Sequence, residues 1–392
     1  MTQNFDAIII GAGVMGTSIA FHLTERGLKP LVLERKQVGF GATGSSSGLV
    51  RMHYDLEAES HLAWVSFQYF RNWRERVGGE CGFRRTGFLH IEPEKHNPQL
   101  RANVEMQRRL GIPTEVISAA DVKRLAPSFK TDDISIAAYE PESGYADATL
   151  TANSFLTAAK ARGAVFMQDC EVTGLLVTAG KIHGVKTPSG EFSAPIVINA
   201  AGAWSGSVSE MAGVRIPLDT WTHDVVHIRR PASVGDHPTV IDMSLGLYFR
   251  PDTGDLTLLA LVDDSRMGES AEAELGYVKN DFVDRAIERI CLRIPAMEQG
   301  SLHSTHVGRD GLTADQRAMI GPAGPAGFYL VTGFSGTGFK LSPAIGLCVS
   351  ELIVDGAARS VDITGFDPLR FARGDLLKGE HDYGFIWRNS LS

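Results

Sequence analysis

FDAIIIGAGVMGTSIAFHLTERGLKPLVLE, residues 5–34, decides the fold. Phe5–Ile10 is a short apolar run, mostly β-branched, the pattern of a strand buried in a parallel sheet. It runs into Gly11-Ala12-Gly13-Val14-Met15-Gly16, a complete GxGxxG. Ile19, Ala20 and Leu23 then share one helical face, and Gly27 is a natural helix stop. Leu31–Leu33 forms a second buried strand with Glu34 at its carboxyl end. Each part has a physical task. Gly11 permits the strand-to-helix turn, Gly13 lets a pyrophosphate approach the backbone, and Gly16 lets helix and strand pack closely. The first helical turn, with Val14 and Met15, offers N–H groups and the positive end of the helix dipole to that pyrophosphate. Glu34 suits the adenosine ribose hydroxyls and repels a 2′-phosphate. Strand, helix, second strand and acid all fall where an ADP-binding unit requires them.

The rest of the composition is that of an ordinary globular protein. Its 392 residues suggest two or three domains; 43% are hydrophobic and 21% charged. A net charge of −8 with no basic run weighs against nucleic acid or an anionic membrane as partner. The start, MTQNFD, lacks the charged and apolar regions of a signal peptide, and no apolar stretch approaches a membrane span. Cys81, Cys170, Cys291 and Cys348 are scattered without metal spacing, so no metal and a reducing cytoplasm are expected.

Several later stretches bear on the same ligand. Residues 35–51, from Arg35 through Thr43-Gly44-Ser45-Ser46-Ser47-Gly48 to Arg51, form a loop too rich in Gly and Ser to be a core element. Such a loop is functional or mobile; small residues allow close approach to a flat ligand. A helical region then runs through Trp64, Phe67, Phe70 and Trp73. Gly82–Ile91 alternates like a strand, residues 98–110 and 119–125 read as surface helices, and residues 134–145 as a turn-rich crossover. A helix over Thr149–Arg162, a strand over Val165–Thr173 and a hairpin (174–177 with 182–187) follow. A buried strand then ends in Ala200-Ala201-Gly202-Ala203-Trp204, a second place where backbone can touch a dinucleotide. Four strand-like segments between Trp221 and Val262 suggest an antiparallel sheet, with a helix over Val278–Ile290. Gly-rich loops return at residues 308–315 and 333–340, and Ser342 with Pro343 reads as the start of a last helix.

The ADP-binding unit is thus expected in three separated pieces with antiparallel insertions between them. That interleaving favours FAD over a nicotinamide cofactor. The expected architecture is α/β: a Rossmann-like FAD-binding domain (residues 1–80, 145–214 and 306–375) interleaved with an antiparallel α+β substrate domain (81–144 and 215–305), with residues 376–392 as a tail.

GAGVMG with Glu34, GATGSSSGLVRMHY, NAAGAW and GFSGTGFKLSPAIG together resemble the D-amino-acid-oxidase-like FAD oxidoreductases, over roughly residues 5–370. The sarcosine oxidase and N-substituted-glycine branch is the most similar. The resemblance implies that Arg51 and Lys340 clamp a substrate carboxylate. It implies that Ser45–Gly48 lie along the flavin ring, that Val172 meets the adenine, and that Gly336, Thr337, Gly338, Phe339 and Lys340 border the pyrimidine edge. Tyr248 matches a pocket tyrosine; Arg250, two residues on, is expected on the same strand face. Arg250 or His53 is then available for a second carboxylate, as in iminodiacetate, with sarcosine as the competing substrate; Arg250 as a solvated strand charge is the alternative. The reaction implied is oxidation of a C–N bond with hydride transfer to the flavin, imine hydrolysis and O2 as acceptor. The family's covalent cysteine falls at Gly308, so non-covalent FAD is expected. Its oxygen-activating lysine falls near Leu259 and its pocket histidine near Asp263. A dehydrogenase passing electrons to a carrier or partner subunit, and a non-catalytic flavin subunit, are the alternatives.

Overall fold

A computed structural model of the chain describes residues 4–384. Its six-stranded sheet has the order Met319–Pro322, Phe328–Thr332, Val197–Asn199, Ala7–Ile10, Pro30–Leu33, Val165–Met167. Only the first two strands pair antiparallel. The sheet draws its strands from both ends and the middle of the chain, and its period-2 alternation divides them between two cores. Ala7, Ile9 and Val32 are fully buried with Phe21 and Leu23 on the helix side. Ile8, Ile10, Leu31 and Leu33 pack with Leu175, Ile182, Val185 and Phe192 of a small three-stranded sheet. With both faces covered, these strands read as unbroken apolar runs. The helices Ala148–Ala161 and Gly338–Asp355 lie against Val14–Glu25.

The second sheet is nine-stranded and antiparallel except where Thr239–Asp242 runs parallel to Phe88–Ile91. One face carries Leu89, Val240, Phe249 and Leu259 onto Phe282, Ala286 and Ile290 of the helix Asn280–Arg293. The other face carries His90, Ile241 and Tyr248 toward a large cavity. Arg293, fully buried, anchors the helix by donating to Asp242 at 2.8 Å and to both oxygens of Asp133 at 2.9 Å. Among the described residues no helix is long and apolar enough to cross a membrane.

Four sequence expectations change. Residues 134–145 are not a plain crossover: Ile136–Glu140 is a strand held between Phe88–Ile91 and Glu115–Ser118. Gly82–Ile91 is broken into Arg84–Arg85 and Phe88–Ile91 at Gly87, whose φ is +73°. The region 308–315 begins as strand, because Ser301–Leu312 pairs along the whole of Asp219–Arg229 and runs through the boundary expected at 305/306. The last helix starts at Gly338, not at Ser342, and Pro343 lies inside it. Pro343 has no N–H to give to the carbonyl of Phe339, and Ser342 Oγ donates to that carbonyl instead, at 2.8 Å. The tail expected over 376–392 lies within the described residues only to 384.

Candidate active site

A cavity of about 520 Å³ opens at the carboxyl ends of the parallel strands and extends under the second sheet. That crevice is where open α/β sheets bind ligands. At its first end Gly11 adopts φ +104°, and a Cβ there would lie 2.6 Å from Ala200 O. A Cβ on Gly16 would lie 2.0 Å from Gly11 O, so the helix sits directly against the turn. Gly13 is the N-cap with no side-chain cap, leaving first-turn N–H groups without intrahelical partners. One of them is already taken: Val14 N donates to Thr43 Oγ1 at 3.0 Å. Glu34 is buried and receives the N–H of Ala12 at 2.9 Å and of Lys36 at 2.8 Å, which fixes its carboxylate beside the turn.

Gly13, Val14, Met15, Glu34, Arg35, Thr43, Val172, Ala201, Gly202 and Trp204 all line the cavity. Gly16 and Gly44 do not; they serve packing, and a Cβ on Gly44 would meet Gly39 O at 2.6 Å. The Arg35 guanidinium lies 4.5 Å over the Trp204 ring and pairs with Glu272 at 2.8 Å. Trp204 Nε1 is buried without a partner among the described residues. Open first-turn donors, absent side chains at the turn, an anchored acid and an orphaned indole N–H fit an FAD adenosine diphosphate. The Gly-Ser loop winds along the middle of the cavity, where Ser45, Ser46, Ser47 and Gly48 line it. Ser47 Oγ and Tyr248 OH are 2.9 Å apart, and Gly308 is so close to the loop that a Cβ there would lie 2.7 Å from Ser45 Cβ.

At the far end Arg51 and Lys340 line the same cavity. No carboxylate lies within 4.0 Å of either among the described residues. Arg51 donates to the carbonyl of His53, stacks 4.2 Å over the Tyr54 ring, and leaves its Nε buried without a partner. Lys340 stands in the first turn of the last helix, buried, with only the carbonyl of Gly336 at 3.4 Å as a weak acceptor among the described residues. Burial, then the charge of Arg51, holds its ammonium well below the usual lysine range. Gly336, Thr337, Gly338 and Phe339 line the cavity beside it. Glu59 and Asp310 offset part of the Lys340 charge, but a half-buried guanidinium and a buried ammonium facing one cavity remain costly when it is empty and favourable around an anion. Val225, Ile241, Met243 and Leu261 supply an apolar wall.

Two expected contributors are engaged elsewhere. Arg250 does not line the cavity: it donates through Nε to Ser47 O and through Nη1 to Pro251 O at 2.9 Å, pairs with Asp252 at 3.3 Å, and covers the Tyr145 ring at 4.2 Å. It is neither a pocket cation nor a solvated charge; it pins the Gly-Ser loop. His53 lines the cavity but faces Gln107 Oε1 at 3.1 Å and Tyr383 OH at 2.7 Å, and burial lowers it well below the usual imidazole range. Asp263 lies outside the lining and pairs with Arg289 at 2.5 Å, and the lining residues Leu261 and Val262 bring no lysine. The sequence reading missed Tyr54, Asp55, His90, Glu92, Trp221, His223, Arg317 and Tyr383, all of which line the cavity. His90 and Glu92 stand two positions apart, His90 in the strand Phe88–Ile91 and Glu92 just past its end, a spacing present in the sequence; Tyr383 offers none.

The chain is 28% identical to human mitochondrial sarcosine dehydrogenase over 93% of its own length, and spans about 41% of that protein. It is 24% identical to glycine oxidase of Geobacillus kaustophilus, covering 90% of this chain and 94% of that one. The structure of L-proline dehydrogenase from P. horikoshii superposes with a TM-score of 0.90 at 27% identity, covering 96% of this chain and all of that one. Residues 6–352 match the family described as FAD dependent oxidoreductase, and the chain belongs to that family.

Proposed function

We propose that the protein oxidises the C–N bond of an amino acid, a secondary amine such as sarcosine, iminodiacetate or proline being the favoured class. The observation that carries this is the pairing of two cations, half-buried Arg51 and buried Lys340, at the far end of the FAD cavity, neither with a carboxylate within 4.0 Å among the described residues. They hold the substrate carboxylate; a guanidinium and an ammonium on separate elements fix its orientation as well as its charge. The turn at Gly11–Gly16, Glu34, the Gly-Ser loop and residues 336–340 would hold FAD, without a covalent bond at Gly308. Bound FAD supplies a two-electron acceptor that takes a hydride equivalent from the substrate α-carbon. The wall of Val225, Ile241, Met243 and Leu261 excludes bulk water from the reacting carbon. For an N-substituted glycine, the product imine at that carbon hydrolyses to an amine and glyoxylate.

With Arg250 turned away, nothing favours a second acid over a single one. The lack of a lysine on the lining residues Leu261 and Val262 favours a second reading for the oxidising half, transfer to an acceptor other than O2. Two of the similar proteins named above are dehydrogenases. The free thiols of Cys81, Cys170 and Cys348, all buried, suit a cytoplasmic or similarly reducing compartment. The test is anaerobic addition of sarcosine, iminodiacetate, L-proline and glycine to the FAD-loaded protein. At least one should bleach the flavin band, and air should restore it slowly if O2 is not the acceptor. A band that none of them bleaches contradicts the proposal.

A further inference from the structure

The nitrogen end of the substrate needs an acceptor, and the strand that the family resemblance pointed to does not provide one. Asp263 is outside the cavity and occupied by Arg289. Three lining residues near Arg51 carry a buried atom that can accept and has no hydrogen-bond partner among the described residues: the Tyr54 hydroxyl, which can equally donate and so does not select an N–H, and two others. Asp55 Oδ2 has no hydrogen-bond partner, but Gly379 covers it so closely that a Cβ there would lie 2.3 Å away. Its other oxygen accepts from Arg317 at 2.7 Å. His90 Nδ1 is the third. His90 is 7% exposed, its Nδ1 has no partner among the described residues, and the His53 ring stacks on it at 4.5 Å.

The state of that nitrogen follows from its neighbours. Glu92, buried and one residue past the end of the strand Phe88–Ile91, lies with Oε1 2.8 Å from His90 Nε2 and Oε2 2.9 Å from His96 Nδ1. Each imidazole gives its N–H to the shared carboxylate, so His90 carries its proton on Nε2 and leaves Nδ1 as a bare lone pair. We propose that His90 Nδ1 accepts the N–H of the substrate nitrogen, with Glu92 and His96 as positioning residues that set its tautomer. This rests on the carboxylate reading above and adds the second recognition point, one that selects amines over ethers and thioethers of the same shape. The groups facing His90 are Arg51 and His53 from the segment after the Gly-Ser loop, Glu92 two residues on, and Tyr383, whose ring lies 5.5 Å away. Burial, then Arg51, pushes His90 down to about 3, so it stays neutral, while burial pushes Glu92 up to about 7. The tautomer is therefore held best above neutral pH.

The test compares pyrrole-2-carboxylate with 2-furoate, flat acids of the same outline in which an N–H is exchanged for an oxygen. Calorimetric titration of the FAD-loaded protein should show the pyrrole binding about tenfold tighter. His90→Leu should bring the ratio near one with 2-furoate little changed. Glu92→Gln, whose amide can donate to Nε2 and free the other tautomer, should shrink the ratio while keeping the volume, and in the unmodified protein the ratio should grow from pH 6 to pH 8.5. A ratio near one in the unmodified protein, or one that survives both substitutions while both acids bind, overturns the inference and leaves the carboxylate site standing. Binding of neither acid to the unmodified protein overturns both.

Discussion

Replacing Lys340 by Met should abolish carboxylate binding and at the same time make the ligand-free holoprotein more stable. The ammonium is buried, and burial and the Arg51 charge oppose it more than Glu59 and Asp310 favour it. Holding it there costs folding energy, and an isosteric apolar chain removes the cost. The sign with pH is specific. The folded-state pKa of Lys340 is lowered, so between that value and the ordinary lysine range the unfolded chain binds the extra proton. Stability of the unmodified protein therefore rises with pH through that window, and the Lys340→Met variant loses the rise. A bound carboxylate pulls the same pKa back up, so binding takes up a proton and weakens at high pH. Arg51→Gln should weaken the same ligands by about a hundredfold, within the range for truncating one side of a desolvated charge pair. Titration calorimetry with 2-furoate and thermal midpoints of both variants check this; a Lys340→Met protein that binds normally contradicts it.

Gly16→Ala should reduce the FAD content of the purified protein to roughly a tenth or less, because the added methyl has no room: its position is 2.0 Å from a backbone oxygen at Gly11. The helix Val14–Glu25 must tilt away from the turn, and the first-turn donors move with it. Gly27→Ala is the control, at φ +81° but with nothing within 4 Å, so it should cost about 1 kcal/mol of backbone strain and leave the flavin in place. Flavin absorbance per protein, with far-ultraviolet circular dichroism to show the remaining fold, reads both variants. Normal flavin content in Gly16→Ala would contradict the close helix–turn contact.

What could be read in the sequence was local or carried by motif. The turn at Gly11–Gly16 and the acid at Glu34 form a continuous stretch whose strand, helix and strand have different periods, and they fold as read. Arg51 and Lys340 are 289 positions apart; no periodicity joins them, and only the family resemblance did. Arg250 shows the limit of alternation, which places it on a strand face without saying that the carbonyl of Ser47 and the ring of Tyr145 would claim its guanidinium. His90 and Glu92 were missed in the sequence, because their meaning depends on His96 and on the C-terminal segment that brings Tyr383 beside His53. The start of the last helix was misread because Ser342 looks like an N-cap; in the fold its hydroxyl takes the place of the N–H that Pro343 lacks.

The most direct test of a carboxylate-anchored amine oxidation is the anaerobic visible spectrum of the FAD-loaded protein during reduction by the fastest amino acid of the panel, beside the same experiment with its primary amide. The two share the nitrogen and the reacting C–H bond and differ in the group that Arg51 and Lys340 are placed to hold. The acid should bleach the flavin band, and the amide should do so about a hundredfold more slowly at equal concentration. Equal rates would contradict the carboxylate site, and a band untouched by either would contradict the activity itself.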